Sequence, residues 1–459
     1  MTRQYQVAVI GAGVVGCAIA RELAGTEASV VLIDARGDVG DGTSKANTAI
    51  LHTGFDASPG TLESALVATG YRLLGDYARR VGIAVERTGA VLVAWNSEQL
   101  DALPRLADKA AANGYHRVRA LVPAQLYEMV PHLGAGALGG LSVPDESIID
   151  PWSTTLAFAT DAVARGAELR LDSAVTGILV DADGATVQTS RGALRSRWVV
   201  NAAGLGSDLI DAMLGHSRFT VTPRRGELIV FDKQSRDLAP RIVLPVPTAR
   251  GKGVLVSPTI FGNVMLGPTS EDLTDRTDTG TTHEGLSRLL AEGRRIMPSL
   301  MQEEVTATYA GLRAATEHSD YVIEVDPAQR YACVGGIRST GLTASLAIAA
   351  HVVNLLRENG FAAAPRDRLP GPSRVPNLGE AYPRPYRSGD MIAADPAYGQ
   401  LVCFCERVSR GEIRDALASA VPPHDLDGLR RRTRAMLGRC QGFYCGAEVE
   451  RLLCAGTAT

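Results

Sequence analysis

The sequence predicts a mixed α/β plus α+β protein. It combines a Rossmann-type dinucleotide-binding domain, interleaved with an antiparallel-sheet domain, and a small helical domain at the C-terminus. Three observations carry this expectation. The first is the stretch from Gln6 to Asp34, which reads as strand, glycine turn, helix and strand. The second is a change of pattern between Val221 and Tyr309 to short strands separated by Gly and Pro, the habit of an antiparallel sheet. The third is a proline-rich connection, Pro365 to Pro385, followed by five of the seven cysteines.

Length and composition bound the answer. A chain of 459 residues suggests two or three domains, and an apolar content of 45% is ordinary for a soluble enzyme. A net charge of -3 gives no electrostatic reason to bind nucleic acid or an acidic membrane surface. The first strand begins within about five residues of Met1, which leaves no room for a signal peptide. No uncharged apolar run reaches bilayer length, so no transmembrane segment is expected. A cytoplasmic location follows, with attachment to the inner membrane only through a partner. Cysteines crowded between Cys403 and Cys454 then argue for a metal centre over disulfides.

In the first unit, residues 6 to 10 form an apolar run suited to a buried parallel strand. Gly11-Ala12-Gly13-Val14-Val15-Gly16 makes G-x-G-x-x-G, Cys17 to Ala24 reads as a helix, and Ser29 to Ile33 as a second strand ending on Asp34. Gly11 serves the turn, Gly13 the approach of a pyrophosphate, and Gly16 the close packing of helix on sheet. The helix N-terminus offers free N–H groups to the phosphates, and Asp34 can accept from a ribose hydroxyl. The polar connection that follows, Ala35 and Arg36 through Thr43, Ser44, Lys45 and Asn47, can run along a diphosphate.

Residues 43 to 66, TSKANTAILHTGFDASPGTLESAL, include Thr48 and His52. They resemble the flavoenzymes of the glycerol-3-phosphate dehydrogenase and L-2-hydroxyglutarate oxidase branch of the D-amino-acid-oxidase-like superfamily. The resemblance implies FAD as the dinucleotide and places His52 beside the flavin's reactive face as the catalytic base. A base that removes a hydroxyl proton while hydride leaves for flavin N5 needs a pKa near neutrality, which histidine supplies.

Further along, Glu168 to Leu171 and Val175 to Val180 read as strands; the resemblance assigns Val175 backbone contacts to the adenine. Trp198 to Asn201 is a buried strand that runs into Ala202-Ala203-Gly204, similar to a second glycine-containing flavin motif. Lys252 sits at the mouth of a hairpin. Read alone it is equally a solvated turn residue, and the resemblance suggests a cation for an anionic substrate. Ala310-Gly311-Leu312-Arg313 follows, where Arg313 resembles the superfamily's substrate-anion arginine. Gly336-Ile337-Arg338-Ser339, then Gly341, Leu342 and Thr343, open a helix and suit the ribityl chain and isoalloxazine O2. Arg338 is a further candidate for the substrate anion.

The C-terminal cysteines follow C-x-C, thirty-four residues, C-x4-C: Cys403, Cys405, Cys440 and Cys445. By spacing, four thiolates could close a zinc site or hold a [2Fe–2S] cluster. TRAMLGRCQGFYC resembles the bacterioferritin-associated-ferredoxin type of [2Fe–2S] domain at the C-terminus of anaerobic glycerol-3-phosphate dehydrogenase large subunits, which implies the cluster. The arginines before Cys440 would balance the cluster's charge or form a solvated face. Cys17, Cys333 and Cys454 read as bystanders.

On this reading residues 1–80, 147–220 and 310–362 form the FAD domain, and 81–146 and 221–309 the substrate domain. Residues 363–398 form the linker and 399–459 the cluster domain. The resemblance implies an FAD-dependent dehydrogenase for a small anionic substrate, glycerol 3-phosphate first. A 2-hydroxyacid, amine or opine dehydrogenase and a noncatalytic flavin/Fe–S carrier stand as alternatives. Electrons would leave through the cluster to a quinone-linked acceptor or a partner subunit, in a homo- or hetero-oligomer. Two features depart from the pattern: Asp34 stands where glutamate is commoner, and ILHTGFD is nearer the 2-hydroxyacid oxidases.

Overall fold

A computed structural model describes residues 4–247, 253–380 and 382–457. The strand Gln4–Ile10 lies in the middle of an eight-stranded sheet, paired in parallel with Val30–Ile33 on one side and Gly192–Asn201 on the other. Glu168–Arg170 extends the parallel order beyond Val30–Ile33, and Tyr331–Gly335 pairs in parallel with the end of Gly192–Asn201. Both faces of this sheet are covered. Val7 and Val9 point into one apolar cluster, with the helices Val14–Leu23, Leu62–Val81 and Gly341–Glu358, while Ala8 and Ile10 point into another. Two-sided burial explains why the strand reads as a continuous hydrophobic run.

The helices approach closely where glycine permits. A Cβ on Gly70 would lie 2.3 Å from the carbonyl oxygen of Thr343, so Leu62–Val81 rests backbone to backbone on Gly341–Glu358. That contact sets the start of the helix Gly341–Glu358 beside the chain that carries His52.

The second sheet has nine strands, built mainly from Thr222–Phe231, Val305–Ala315, Ile242–Pro245, Leu255–Pro258 and Val264–Gly267 with Ala90–Ala94 and Gly139–Val143. Among the described residues it is antiparallel except for one pair, Ile242–Pro245 with Ala90–Ala94, which is parallel. A parallel neighbour needs a crossover rather than a hairpin, and the intervening chain supplies it by passing through the first sheet. Apolar clusters fill both faces, one around Phe231 and Leu289, the other around Leu92 and Ile148.

The proline-rich stretch is extended but pinned to the body of the protein. Val375 N–H donates to the Val81 carbonyl, Glu380 N–H to that of Ile260, and Leu378 is buried. Short helices at Pro385–Arg387 and Gly389–Ala394 lie within the segment read as a linker. Beyond them the hairpin Leu401–Cys403/Val408–Ser409 and the helices Arg410–Leu417, Leu426–Thr433 and Gly446–Thr457 surround a small core of Val408, Ile413, Leu429 and Val449.

Candidate functional site

The turn after Gln4–Ile10 admits no side chains at two of its glycines. Gly11 has φ +105°, and a Cβ there would lie 2.4 Å from the Ala202 carbonyl oxygen; at Gly16 it would lie 1.8 Å from the Gly11 oxygen. The two glycine-bearing turns of the sheet therefore touch. The helix Val14–Leu23 begins on Gly13 without a capping side chain of its own or an acid in its first turn. Val14 N–H donates instead to Ser44 Oγ at 2.9 Å, so the following loop folds over the helix N-terminus. An open helix N-terminus bordered by hydroxyls fits a diphosphate.

Asp34 accepts from Ala12 N–H at 2.6 Å and Arg36 N–H at 2.8 Å, which leaves lone pairs for a ribose hydroxyl. Burial raises its pKa and outweighs those two bonds. Arg36 and Lys45 both reach Asp41, while Ala35 is exposed. Backbone bonds from Asp172 to Arg36 and from Ser173 to Asp34 bring the start of the Val175 strand alongside. Ala203 and Gly204, the latter at φ +56°, follow the strand Gly192–Asn201.

The loop's other side is held by the nine-stranded sheet, whose strand Val305–Ala315 runs across the domain boundary expected at residue 310. Thr43 Oγ donates to the Leu312 carbonyl, Tyr309 Oη to that of Asn47, and a Cβ on Gly311 would lie 2.1 Å from the Ala46 oxygen. Thr48 is half-buried at the end of this loop. At the far end, Gly336 turns at φ +66°, and Gly341 faces Ile337 so closely that a Cβ would sit 2.6 Å from its Cγ2. Ser339 is exposed and Leu342 buried. The helix starting at Gly341 also lacks a capping side chain and an acid in its first turn. Thr343 Oγ there accepts from His52 N–H at 3.0 Å.

His52 has a partner that no local motif announces. Its Nδ1–H donates to Glu146 Oε2 at 3.1 Å, and Glu146, wholly buried, accepts from Thr53 N–H and Oγ–H through Oε1. A carboxylate only accepts here, so in the neutral ring it selects the Nδ1–H tautomer and leaves Nε2 as the acceptor nitrogen. Ninety-four positions separate the two residues, so sequence reasoning missed Glu146.

Arg313 is half-buried on the strand that carries Tyr309 and Gly311, on the same face by the two-residue period. Its one hydrogen bond within the described residues is a long 3.5 Å contact to the Thr269 carbonyl, and among them it has no carboxylate partner. Burial first, and Arg224 second, hold its pKa below the usual value. Gly226 makes room for it: a Cβ there would lie 2.5 Å from Nη2. Arg338 is placed differently from the expectation of a substrate-binding cation. Its guanidinium donates to Glu63 at 3.2 Å and to the Ser319 carbonyl at 2.6 Å, so its charge is already met. Lys252 lies outside the described residues.

The four cysteines assemble as two pairs of neighbours, Cys405 with Cys440 and Cys403 with Cys445. Backbone N–H groups of Tyr444, Gly442 and Phe443 point at Cys440 and lower its pKa. Among the described residues no group of three or more His, Cys, Asp or Glu side chains closes around a single metal ion. Four thiols in two neighbouring pairs are a donor set that a two-iron cluster takes, two thiolates on each iron. Arg407, Met436 and Gln441 adopt positive φ of 53°, 67° and 47° around these loops.

The arginines before Cys440 are not a solvated face, nor do they stand free beside the cysteines. Arg431 and Arg432 both bind Asp38, at 2.7 Å, and Arg431 also reaches Asp41 at 2.9 Å. Arg434 binds Glu406 at 2.7 Å and Arg439 binds Asp232 at 2.8 Å. Two of them, Arg431 and Arg432, dock the C-terminal domain beside the loop that starts at Asp34. A charge run in sequence looks alike whether it faces water or a buried carboxylate, so composition could not tell these apart.

Residues 6–355 match the family model described as FAD dependent oxidoreductase, and residues 401–455 the BFD-like [2Fe-2S] binding domain. The chain is 35% identical over 452 residues to a glycerol 3-phosphate dehydrogenase of Caloramator mitchellensis, covering 98% of this chain and 94% of that protein. It is 28% identical over 500 residues to one subunit of the anaerobic glycerol-3-phosphate dehydrogenase of Escherichia coli K12, covering 98% and 88%. Among solved structures it resembles the L-alpha-glycerophosphate oxidase of Mycoplasma pneumoniae with FAD bound. The TM-score is 0.77 at 28% identity, over 82% of this chain and 99% of that one.

Proposed function

Because the chain belongs to the FAD dependent oxidoreductase family, we propose that it is a dehydrogenase that oxidises the secondary alcohol of sn-glycerol 3-phosphate and delivers the electrons to its own [2Fe–2S] cluster. The observation that carries the substrate class is Arg313, a half-buried cation without a carboxylate partner among the described residues, on the strand that packs against the loop leading to His52. A half-buried guanidinium with no carboxylate partner among the described residues suits an anionic group brought in by substrate. Lys252, outside the described residues, is a second cation proposed for the same anion.

Bound flavin would supply the hydride acceptor. The chain's own residues do the rest. His52 Nε2 takes the hydroxyl proton as the C–H bond breaks, and Glu146 holds the ring in that tautomer and stabilises the imidazolium that forms. The open N-terminus of the helix at Gly341 would present its positive end to a bound flavin and favour negative charge there.

Electrons leave through the cluster to a separate redox protein. The support is local: Phe404, Phe443 and Tyr444, next to the ligand cysteines, are 68%, 84% and 78% exposed, the three highest values among the exposed large apolar side chains of the described residues. Such exposure costs solvation free energy unless a partner covers it. Turnover of sn-glycerol 3-phosphate with a one-electron dye tests the reading, against glycerol and L-2-hydroxyglutarate as controls. Glycerol 3-phosphate alone should support turnover; equal rates with glycerol would remove Arg313 from substrate recognition.

A further inference from the structure

Arg434 ends the helix Leu426–Thr433 in the left-handed conformation, at φ +66°. A side-chain-bearing residue held there is strained, so its surroundings must fix it. Its surroundings are particular. The guanidinium is buried, lies 4.2 Å from the centre of the Phe261 ring and 5.8 Å from that of Trp152, and bonds Glu406 at 2.7 Å. Trp152 and Phe261 stack on each other with ring centres 4.9 Å apart. Trp152 Nε1–H donates to the Lys45 carbonyl at 3.1 Å, in the loop that folds over the first helix N-terminus. Glu406 is the residue after Cys405, and is steadied by Lys233 at 3.1 Å.

These contacts form an unbroken line: Lys45 carbonyl, Trp152, Phe261, Arg434, Glu406, Cys405. It joins the proposed flavin loop to a proposed cluster ligand through hydrogen bonds, one ion pair and stacked rings. The neighbouring clamp of Arg431 and Arg432 on Asp38 holds the two domains in register beside it.

We propose that this line is the internal electron path, and that Arg434 is the positioning residue that fixes the cluster domain against the flavin domain for transfer. The inference rests on the FAD and [2Fe–2S] reading above. In the step, reduced flavin is oxidised by one electron and the oxidised cluster is reduced by one. No bond between heavy atoms forms or breaks. The second electron follows after an external acceptor has reoxidised the cluster, and the flavin's proton passes to water.

The test uses the holoprotein with both cofactors, reduced by light with EDTA as the donor so that no assumption about substrate enters. Two variants are compared with the parent: the charge-neutral pair Arg434→Met/Glu406→Gln, and Phe261→Leu, which leaves the ion pair intact. Flavin bleaching is followed by absorbance and cluster reduction by freeze-quench EPR. Chemical reduction with dithionite and iron content establish that the cluster is present. The expected result is unchanged flavin reduction with cluster reduction slowed at least about tenfold. Hydrogen exchange should also rise at residues 43–47 and 433–435, a readout that needs no cofactor turnover. Cluster reduction at the parental rate in a cluster-loaded variant would overturn the proposal. If the double variant holds no cluster, Phe261→Leu decides by the same criterion. Failure of the flavin and cluster reading would show differently, as a parent protein without either signal.

Discussion

At the scale of single residues the proposed site is a pair of arrangements, a histidine ring oriented by Glu146 and an arginine with no carboxylate partner among the described residues. Arg313→Ala should weaken kcat/KM for glycerol 3-phosphate by about 2–4 kcal/mol, the size of a buried charge-assisted contact, mostly through KM. Steady-state kinetics with glycerol 3-phosphate check it, and an unchanged KM would remove Arg313 from anion binding. Glu146→Gln should act on kcat instead. A glutamine amide can present its N–H₂ to His52 Nδ1 and stabilise the wrong tautomer, so a fall of about 100-fold or more is expected with flavin content unchanged. His52 and Arg313 could be proposed from the sequence because each sits in a recognisable local motif. Glu146 was not: its role comes from a fold that joins positions ninety-four apart. The partners of Arg338 were hidden for the same reason, since Glu63 and Ser319 meet it only in three dimensions.

At the scale of elements, the loop 43–47 is gripped between a helix N-terminus and a strand. Gly311→Ala should displace it, because the new Cβ would start 2.1 Å from the Ala46 carbonyl, in a strand that cannot easily shift. The expected outcome is loss of flavin on gel filtration with the fold retained by circular dichroism. The parallel strands around Gln4–Ile10 were readable from their two-sided apolar runs, and the short strands after Val221 from their Gly and Pro punctuation. The parallel pair Ile242–Pro245 with Ala90–Ala94 was not, since pairing between distant strands leaves no trace in either. The docking role of the arginine-rich helix was hidden for a related reason: its partners Asp38 and Asp41 belong to another domain.

At the scale of the whole molecule, the C-terminal domain is tied to the rest partly by buried ion pairs to Asp38, and these make the assembly sensitive to acid. Asp38 is pulled upward by burial, but Arg432 and Arg431 outweigh this and hold its pKa below the ordinary aspartate value. A depressed carboxylate stabilises the folded form above the unfolded pKa, and that contribution disappears as pH falls through the folded value. The cluster domain should therefore begin to loosen below about pH 4, and Asp38→Asn should remove that step from an acid titration followed by protease nicking.

A single electron route, from an anionic alcohol through flavin to cluster, unites these scales. It is tested most directly by anaerobic mixing of the holoprotein with sn-glycerol 3-phosphate, watching the flavin band and the cluster EPR signal together. The flavin should bleach first and the cluster signal grow after it, with glycerol inactive. No bleaching by glycerol 3-phosphate, with both cofactors present and reducible by dithionite, would contradict that route.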